Sequence, residues 1–168
     1  WNVKKEPFLQ NFNGISTLKL RTGFGRSGNL GGISAYTTMN NVQQTGIVPV
    51  NNTPTVTLGT IRNNNPDLKW ETKSTFNIGG EIGLWNNRLM LTAEYYYSKT
   101  TDMLYAYDVP VPPFAYDKLL ANIGSMSNQG VEIGFSIAPV QTKDWDLNVS
   151  MNLSFQKNKL LSLSGNYN

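Results

Sequence analysis

The feature that most constrains this chain is a side-chain alternation of period two. In residues 144–156, Trp145, Leu147, Val149, Met151, Leu153 and Phe155 fall on one face, and Asp146, Asn148, Ser150, Asn152, Ser154 and Gln156 on the other. Successive side chains of a β-strand point to opposite faces, so only a strand produces this pattern. It recurs in residues 129–138, where Val131, Ile133, Phe135 and Ile137 alternate with Glu132, Gly134, Ser136 and Ala138. Residues 88–99 set Leu89, Leu91, Ala93, Tyr95 and Tyr97 against Arg88, Met90, Thr92, Glu94 and Tyr96. Residues 70–84 set Trp70, Phe76, Ile78, Ile82 and Leu84 against Glu71, Lys73, Asn77 and Glu81. A shorter run opposes Leu18, Leu20 and Phe24 to Thr17, Lys19, Arg21 and Gly23. Five antiparallel strands are predicted.

The connections alternate in length. Asn86-Asn87 suits a type I′ hairpin turn, because Asn tolerates positive φ. That turn sets Leu84 opposite Leu89, Ile82 opposite Leu91, Ile78 opposite Tyr95 and Phe76 opposite Tyr97. A one-residue slip would scramble the match. A second short turn at residues 139–143 pairs Ile137 with Trp145, Phe135 with Leu147, Ile133 with Val149 and Val131 with Met151. The remaining connections, 26–69 and 101–122, read as long loops, and loops beyond about 12–15 residues are uncommon unless functional or disordered. Tight turns alternating with extended loops is the rule of outer-membrane barrels, whose turns are periplasmic and whose long loops are extracellular.

Composition agrees. Charged residues make up only 15% of the chain, against about 25% in a soluble domain. The alternating pattern is also open to a soluble β-sandwich. The predicted strands, however, are longer than the usual mode of about 5–6 residues, and the apolar face of the last three carries no charge, where a Lys or Arg at mid-bilayer would cost roughly 2–4 kcal/mol. Trp85 and Trp145 lie at the short-turn end and Trp70, Tyr95 and Tyr97 toward the long loops, as two interfacial aromatic belts would require. On the polar face, Lys19, Arg21, Lys73, Glu81, Glu94 and Glu132 are candidates to line a wet lumen.

Several chemistries are excluded or outweighed. There is no Cys and no His, so disulfides, thiolate or imidazole metal sites and His-based catalytic triads are absent from this chain. The 14 basic residues are dispersed and the net charge is +3, without the basic stripe that nucleic acid calls for. Gly23 to Gly28 fits G-x-G-x-x-G, but no helix pattern follows it; glycines leaving a strand explain it better than a dinucleotide site. Asn51-Asn52-Thr53, Asn148-Val149-Ser150 and Asn152-Leu153-Ser154 fit the glycosylation sequon by chance of composition. Glu81 and Glu94 share a face and could do acid–base work, yet Lys73 and Arg88 are available to balance them in a structural network. Asn63, Asn64, Asn65 and Asp67 lack calcium-loop spacing and read as a turn around Pro66. No catalytic, metal or cofactor site is expected. Tyr36, Tyr105, Tyr107, Phe114 and Tyr116, in the two long loops, are candidates for contact with cargo or a partner.

Leu18-Lys19-Leu20-Arg21 followed by Gly25-Arg26-Ser27-Gly28-Asn29 resembles the LKLR…GN stretch of the SusC/RagA family of TonB-dependent transporters. Four further blocks follow in the family's order: Asn65-Pro66-Asp67-Leu68-Lys69-Trp70-Glu71-Thr72; Asn87-Arg88-Leu89 leading to Tyr95-Tyr96 and Lys99 to Leu104; Asn122-Ile123-Gly124-Ser125 with Asn128-Gln129-Gly130-Val131-Glu132; and Asn158-Lys159 with Leu163. The resemblance implies an outer-membrane barrel of about 22 strands in a Gram-negative bacterium of the Bacteroidetes. It implies an internal plug, TonB as the energy source, a SusD-like lipoprotein cap, and import of oligosaccharides or peptides. Residues 1–168 then read as an interior piece of the barrel domain, without the plug or TonB box. A surface adhesin displaying long loops is the alternative function; a barrel enzyme is remote without histidine.

Overall fold

In the computed structural model, which describes residues 1–163, seven strands follow a short 3₁₀ turn, Val3–Lys5, and one helical turn, α1 (Pro7–Gln10). Lys4 Nζ folds back to donate to the carbonyls of Leu9 (2.8 Å) and Phe12 (2.9 Å), groups that a helix end otherwise leaves unpaired. The strands are β1 (Ile15–Asn29), β2 (Val42–Val50), β3 (Thr53–Thr60), β4 (Glu71–Leu84), β5 (Leu89–Asp108), β6 (Lys118–Gln141) and β7 (Asp146–Ser162). Five form one sheet in the order β1-β4-β5-β6-β7, while β2 and β3 pair as a separate antiparallel hairpin. The chain is all-β and its strands antiparallel, as the alternation requires.

The five expected strands are all present, and most are longer than their sequence pattern. Strand β5 continues to Asp108 and β6 begins at Lys118, so residues 109–117 alone connect them in place of the expected 101–122 loop. Tyr105 and Tyr107 therefore sit on a strand. Where a strand rises beyond an apolar surroundings both its faces can be wet, and the period-two signal fades although the backbone ladder persists. The 26–69 segment likewise holds the β2–β3 hairpin, whose Asn51 (φ 50°) and Asn52 (φ 65°) make the two-residue turn. This, and not glycosylation chemistry, is what the Asn51-Asn52-Thr53 triplet does structurally.

The β4–β5 turn has the expected form, with Asn86 at φ 58° and Asn87 at φ 63°, and the Arg88 N–H donating to Trp85 O at 3.2 Å. The β6–β7 register differs from expectation. Strand β6 runs through Pro139, the turn is closed by the Thr142 N–H on Trp145 O (2.8 Å), and Ser136 meets Ser150 at 3.0 Å where Asp146 was expected. A displacement of four residues leaves every side chain on its expected face.

The described residues group into two compact units. One comprises Trp1–Arg26, Ser74–Lys99 and Met126–Leu160; the other comprises Ser27–Lys73 and Thr100–Ser125 with residues 161–163. In the first, Trp1 exchanges backbone hydrogen bonds with Leu20 (2.7 and 2.9 Å), so Trp1-Asn2 lies along the outer edge of β1. Large apolar side chains such as Leu147, Met151 and Phe155 on β7 remain exposed.

Candidate functional site

The charged candidates of the first unit assemble across the sheet. Lys19 on β1 pairs with Glu81 on β4 at 3.4 Å. Arg21 sends both Nε (3.1 Å) and Nη2 (2.6 Å) to one carboxylate oxygen of Glu94, two strands away on β5, while Asn77 Nδ2 donates to the other oxygen at 3.3 Å. The intervening position on β4 is Gly79, where a Cβ would stand 3.2 Å from Arg21 Nε and 3.1 Å from the Ala93 carbonyl. A glycine is what lets the guanidinium cross. The balancing cations are thus Lys19 and Arg21, and not Lys73 or Arg88. Both pairs are partly open to solvent, so each is worth about 0–1 kcal/mol and serves chiefly to fix side-chain positions.

Arg21, Glu94 and Glu132 line a concavity of ≈ 440 Å³ together with Thr92, Asn152 and Ser154. Three of the six charged candidates, with neutral polar groups from β5 and β7, thereby share one surface. No group of three or more acidic residues is placed to hold a metal ion among the described residues.

The G-x-G-x-x-G glycines are not an exit from the strand but lie within β1. A Cβ at Gly23 would strike the Asn77 side chain, and one at Gly28 would lie 3.1 Å from the Trp70 ring. They admit neighbouring side chains.

In the second unit the asparagines act on backbone. Asn63 Nδ2 donates to Tyr116 O (2.6 Å) and Lys118 O (2.9 Å), and its Oδ1 accepts from the N–H groups of Ala115 (3.1 Å) and Tyr116 (3.2 Å). Asn65 donates to Leu120 O at 3.1 Å and accepts the Asp67 N–H at 3.0 Å, the Asx turn expected around Pro66. Asn122 accepts from the Lys69 N–H (2.9 Å) and donates to the carbonyls of Lys69 (2.6 Å) and Asp102 (2.7 Å). Glu71 accepts from the Leu104 N–H (3.0 Å) and from Asn29 Nδ2 (2.9 Å), and Lys69 pairs with Asp102 at 2.9 Å. The segment that follows β3 is clasped to β5 and β6 by side chains doing the work of a missing strand.

These clasps gather three of the five aromatic candidates. Arg62 Nη2 donates to Tyr36 O at 2.9 Å, and the Tyr116 hydroxyl donates to Thr60 O. Phe114 lines a concavity of ≈ 240 Å³ with Asn40, Thr60, Arg62, Asn63 and Asn64. Tyr105, on strand β5, is about half exposed. Sequence reasoning did not single out Arg62 or Asn40, which carry no local pattern and become neighbours only through the clasps. Of the aromatic residues expected at membrane interfaces, Trp70, Trp85 and Trp145 are strongly exposed, and Tyr95 and Tyr97 moderately so.

Comparison with known proteins matches this geometry. Residues 11–168 fit the family model described as TonB dependent receptor-like, beta-barrel. TonB-dependent receptor P26 of Formosa agariphila is 35% identical over 98% of this chain and 16% of its own length. TonB-dependent receptor SusC of Bacteroides thetaiotaomicron is 33% identical over 98% of the chain and 17% of its own. The solved structure of the RagAB peptide transporter superposes with a TM-score of 0.82 and 29% identity, covering 98% of this chain and 17% of that one. The chain thus spans about a sixth of the length of the relatives it matches. With the family model covering nearly the whole of it, this chain belongs to the TonB-dependent receptor family as a segment of its β-barrel.

Proposed function

We propose that this chain forms part of the wall and mouth of a SusC-like outer-membrane transporter that imports oligosaccharides or peptides. Energy comes through TonB and an internal plug, and a SusD-like lipoprotein caps the mouth; these belong to the rest of the parent and its partner. The observation that carries the reading is the division of one sheet into two unlike faces within a TonB-dependent receptor barrel: exposed Leu147, Met151 and Phe155 on one side, and the Arg21–Glu94–Glu132 concavity on the other.

In this reading the apolar face seats the wall in lipid, with Trp85 and Trp145 at one interface and Trp70, Tyr95 and Tyr97 toward the other. Lys19, Arg21, Lys73, Glu81, Glu94 and Glu132 face the lumen and the plug. The long connections are extracellular, and Tyr36, Phe114 and Tyr116 around the clasped segment meet cargo or partner. The wall performs no chemistry: it holds a wet passage open in hydrocarbon, which a closed ladder of strands can do without unpaired backbone groups. The test is uptake of labelled oligosaccharides and peptides by cells carrying the whole parent, with and without TonB. Uptake that needs both proteins is expected; uptake indifferent to TonB sinks the reading.

A further inference from the structure

The β2–β3 hairpin is unlike the rest of the second unit. Its register pairs Ile47 with Val56 and Pro49 with Pro54, and alternation puts Leu58 on their side; Gly46–Thr57, Val48–Thr55 and Val50–Thr53 make the other face. Ile47 is 60% exposed, Val56 52% and Leu58 68%. Residues 42–60 contain no charged and no aromatic side chain. A two-stranded ribbon is marginal in water on its own, so an apolar face of this size has to be covered.

The residues themselves narrow what covers it. Membrane-surface contact draws on Lys or Arg for the headgroups and on Trp or Tyr at the interface, and the hairpin has neither. The centre of a protein–protein interface, in contrast, is depleted in charge. Strand addition at the edge is also disfavoured near the tip. Val50 and Thr53 flank the two-residue turn and exchange ladder bonds, so the next pair, Pro49 and Pro54, is a non-hydrogen-bonded pair whose nitrogens point outward. Prolines there cost the hairpin nothing and remove the donors that an added strand would use. Recognition therefore goes through the face. At about 3.3 Å per residue, strands of nine and eight residues reach roughly 25–30 Å from base to turn.

We infer that Ile47, Pro49, Pro54, Val56 and Leu58 form a docking face for a folded extracellular protein presenting an uncharged apolar patch, the part that the proposed function gives to the capping lipoprotein. The inference rests on that reading. The test uses the full-length parent purified from outer membranes with its lipoprotein, carrying photoreactive benzoylphenylalanine in place of Val56 or, on the opposite face, Thr55. Irradiation is expected to join the lipoprotein to the Val56→benzoylphenylalanine protein and not to the Thr55 control. Ile47→Asp with Leu58→Asp is expected to lower the co-purified lipoprotein at least tenfold, and Thr57→Asp to leave it unchanged, all three proteins keeping the heat-modifiable gel mobility of a folded barrel. Adducts to lipid, to a second copy or to other loops of the same parent overturn the inference, as does full retention of lipoprotein by the aspartate variant. If the unsubstituted parent carries no lipoprotein, the functional reading itself falls and takes this inference with it; a bound lipoprotein indifferent to the hairpin overturns the inference alone.

Discussion

Arg21 on β1 reaches over β4 to hold one oxygen of Glu94 on β5 through two nitrogens, at 2.6 and 3.1 Å, and passes above Gly79 to do so. Three strands are thereby tied by one side chain and one missing Cβ. Gly79→Val puts branched carbon where the guanidinium lies and against the Ala93 carbonyl. A loss of about 1–3 kcal/mol is expected, the usual range for overpacking, measured as a lower temperature for the heat-induced mobility shift of the parent barrel. An unchanged transition in the valine variant would show that the crossing is incidental.

The bridge itself should be weak. Its side chains are 52% and 27% exposed, so a double-mutant cycle with Arg21→Met and Glu94→Gln is expected to return a coupling of about 0–1 kcal/mol. A coupling of several kcal/mol would mean that other parts of the parent seal the site from water.

Asn86 sits at φ 58° in the β4–β5 turn, a conformation that costs an ordinary L-residue about 1–2 kcal/mol. Asn86→Gly is expected to be neutral or stabilising, since its N–H bond to Ser16 Oγ (2.7 Å) survives. Asn86→Val should slow refolding into detergent and destabilise by roughly that 1–2 kcal/mol. Equal behaviour of the two variants argues against a left-handed turn.

Asn63 makes four bonds to the backbone of residues 115–118. Asn63→Ala is expected to speed amide exchange at Ala115 and Tyr116 by about 5–10-fold, from roughly 1 kcal/mol per lost bond, without moving the barrel's thermal transition. Asn63→Asp keeps the acceptor and should leave those two amides close to their original protection. Unchanged exchange in the alanine variant would refute the clasp.

The two faces of β7 can be told apart by charge. Met151→Lys is expected to cost about 2–4 kcal/mol in a lipid bilayer, and Ser150→Lys close to nothing. The reverse ranking, or no difference in bilayer-embedded protein, contradicts the face assignment.

Much of this was legible because one face is apolar and the strand period is two. The residues of β4, β5, β6 and β7 could be sorted between faces from sequence, and the Asn86-Asn87 turn set the β4–β5 pairing. The β6–β7 register was not legible. Sliding β7 by four residues keeps apolar opposite apolar, so the pattern cannot choose, and what decides is where the Thr142–Trp145 turn closes. The β2–β3 hairpin escaped notice because Thr, Gln, Gly and Pro blur its alternation, although Asn51-Asn52 is the same turn chemistry as Asn86-Asn87.

What the sequence alone determined is therefore which element each segment forms and which way its side chains turn, because both follow from local backbone geometry. The partners of Glu81 and Glu94 were decided only by tertiary structure: β1 precedes β4 by a long connection, and no local rule sets the register that brings Lys19 and Arg21 alongside. The same holds for Asn63, Asn65 and Asn122, whose amides look like a loop's polar surface until the fold delivers the backbone groups they bind. A side chain's direction is a property of its own residue, whereas its partner is a property of the whole path of the chain.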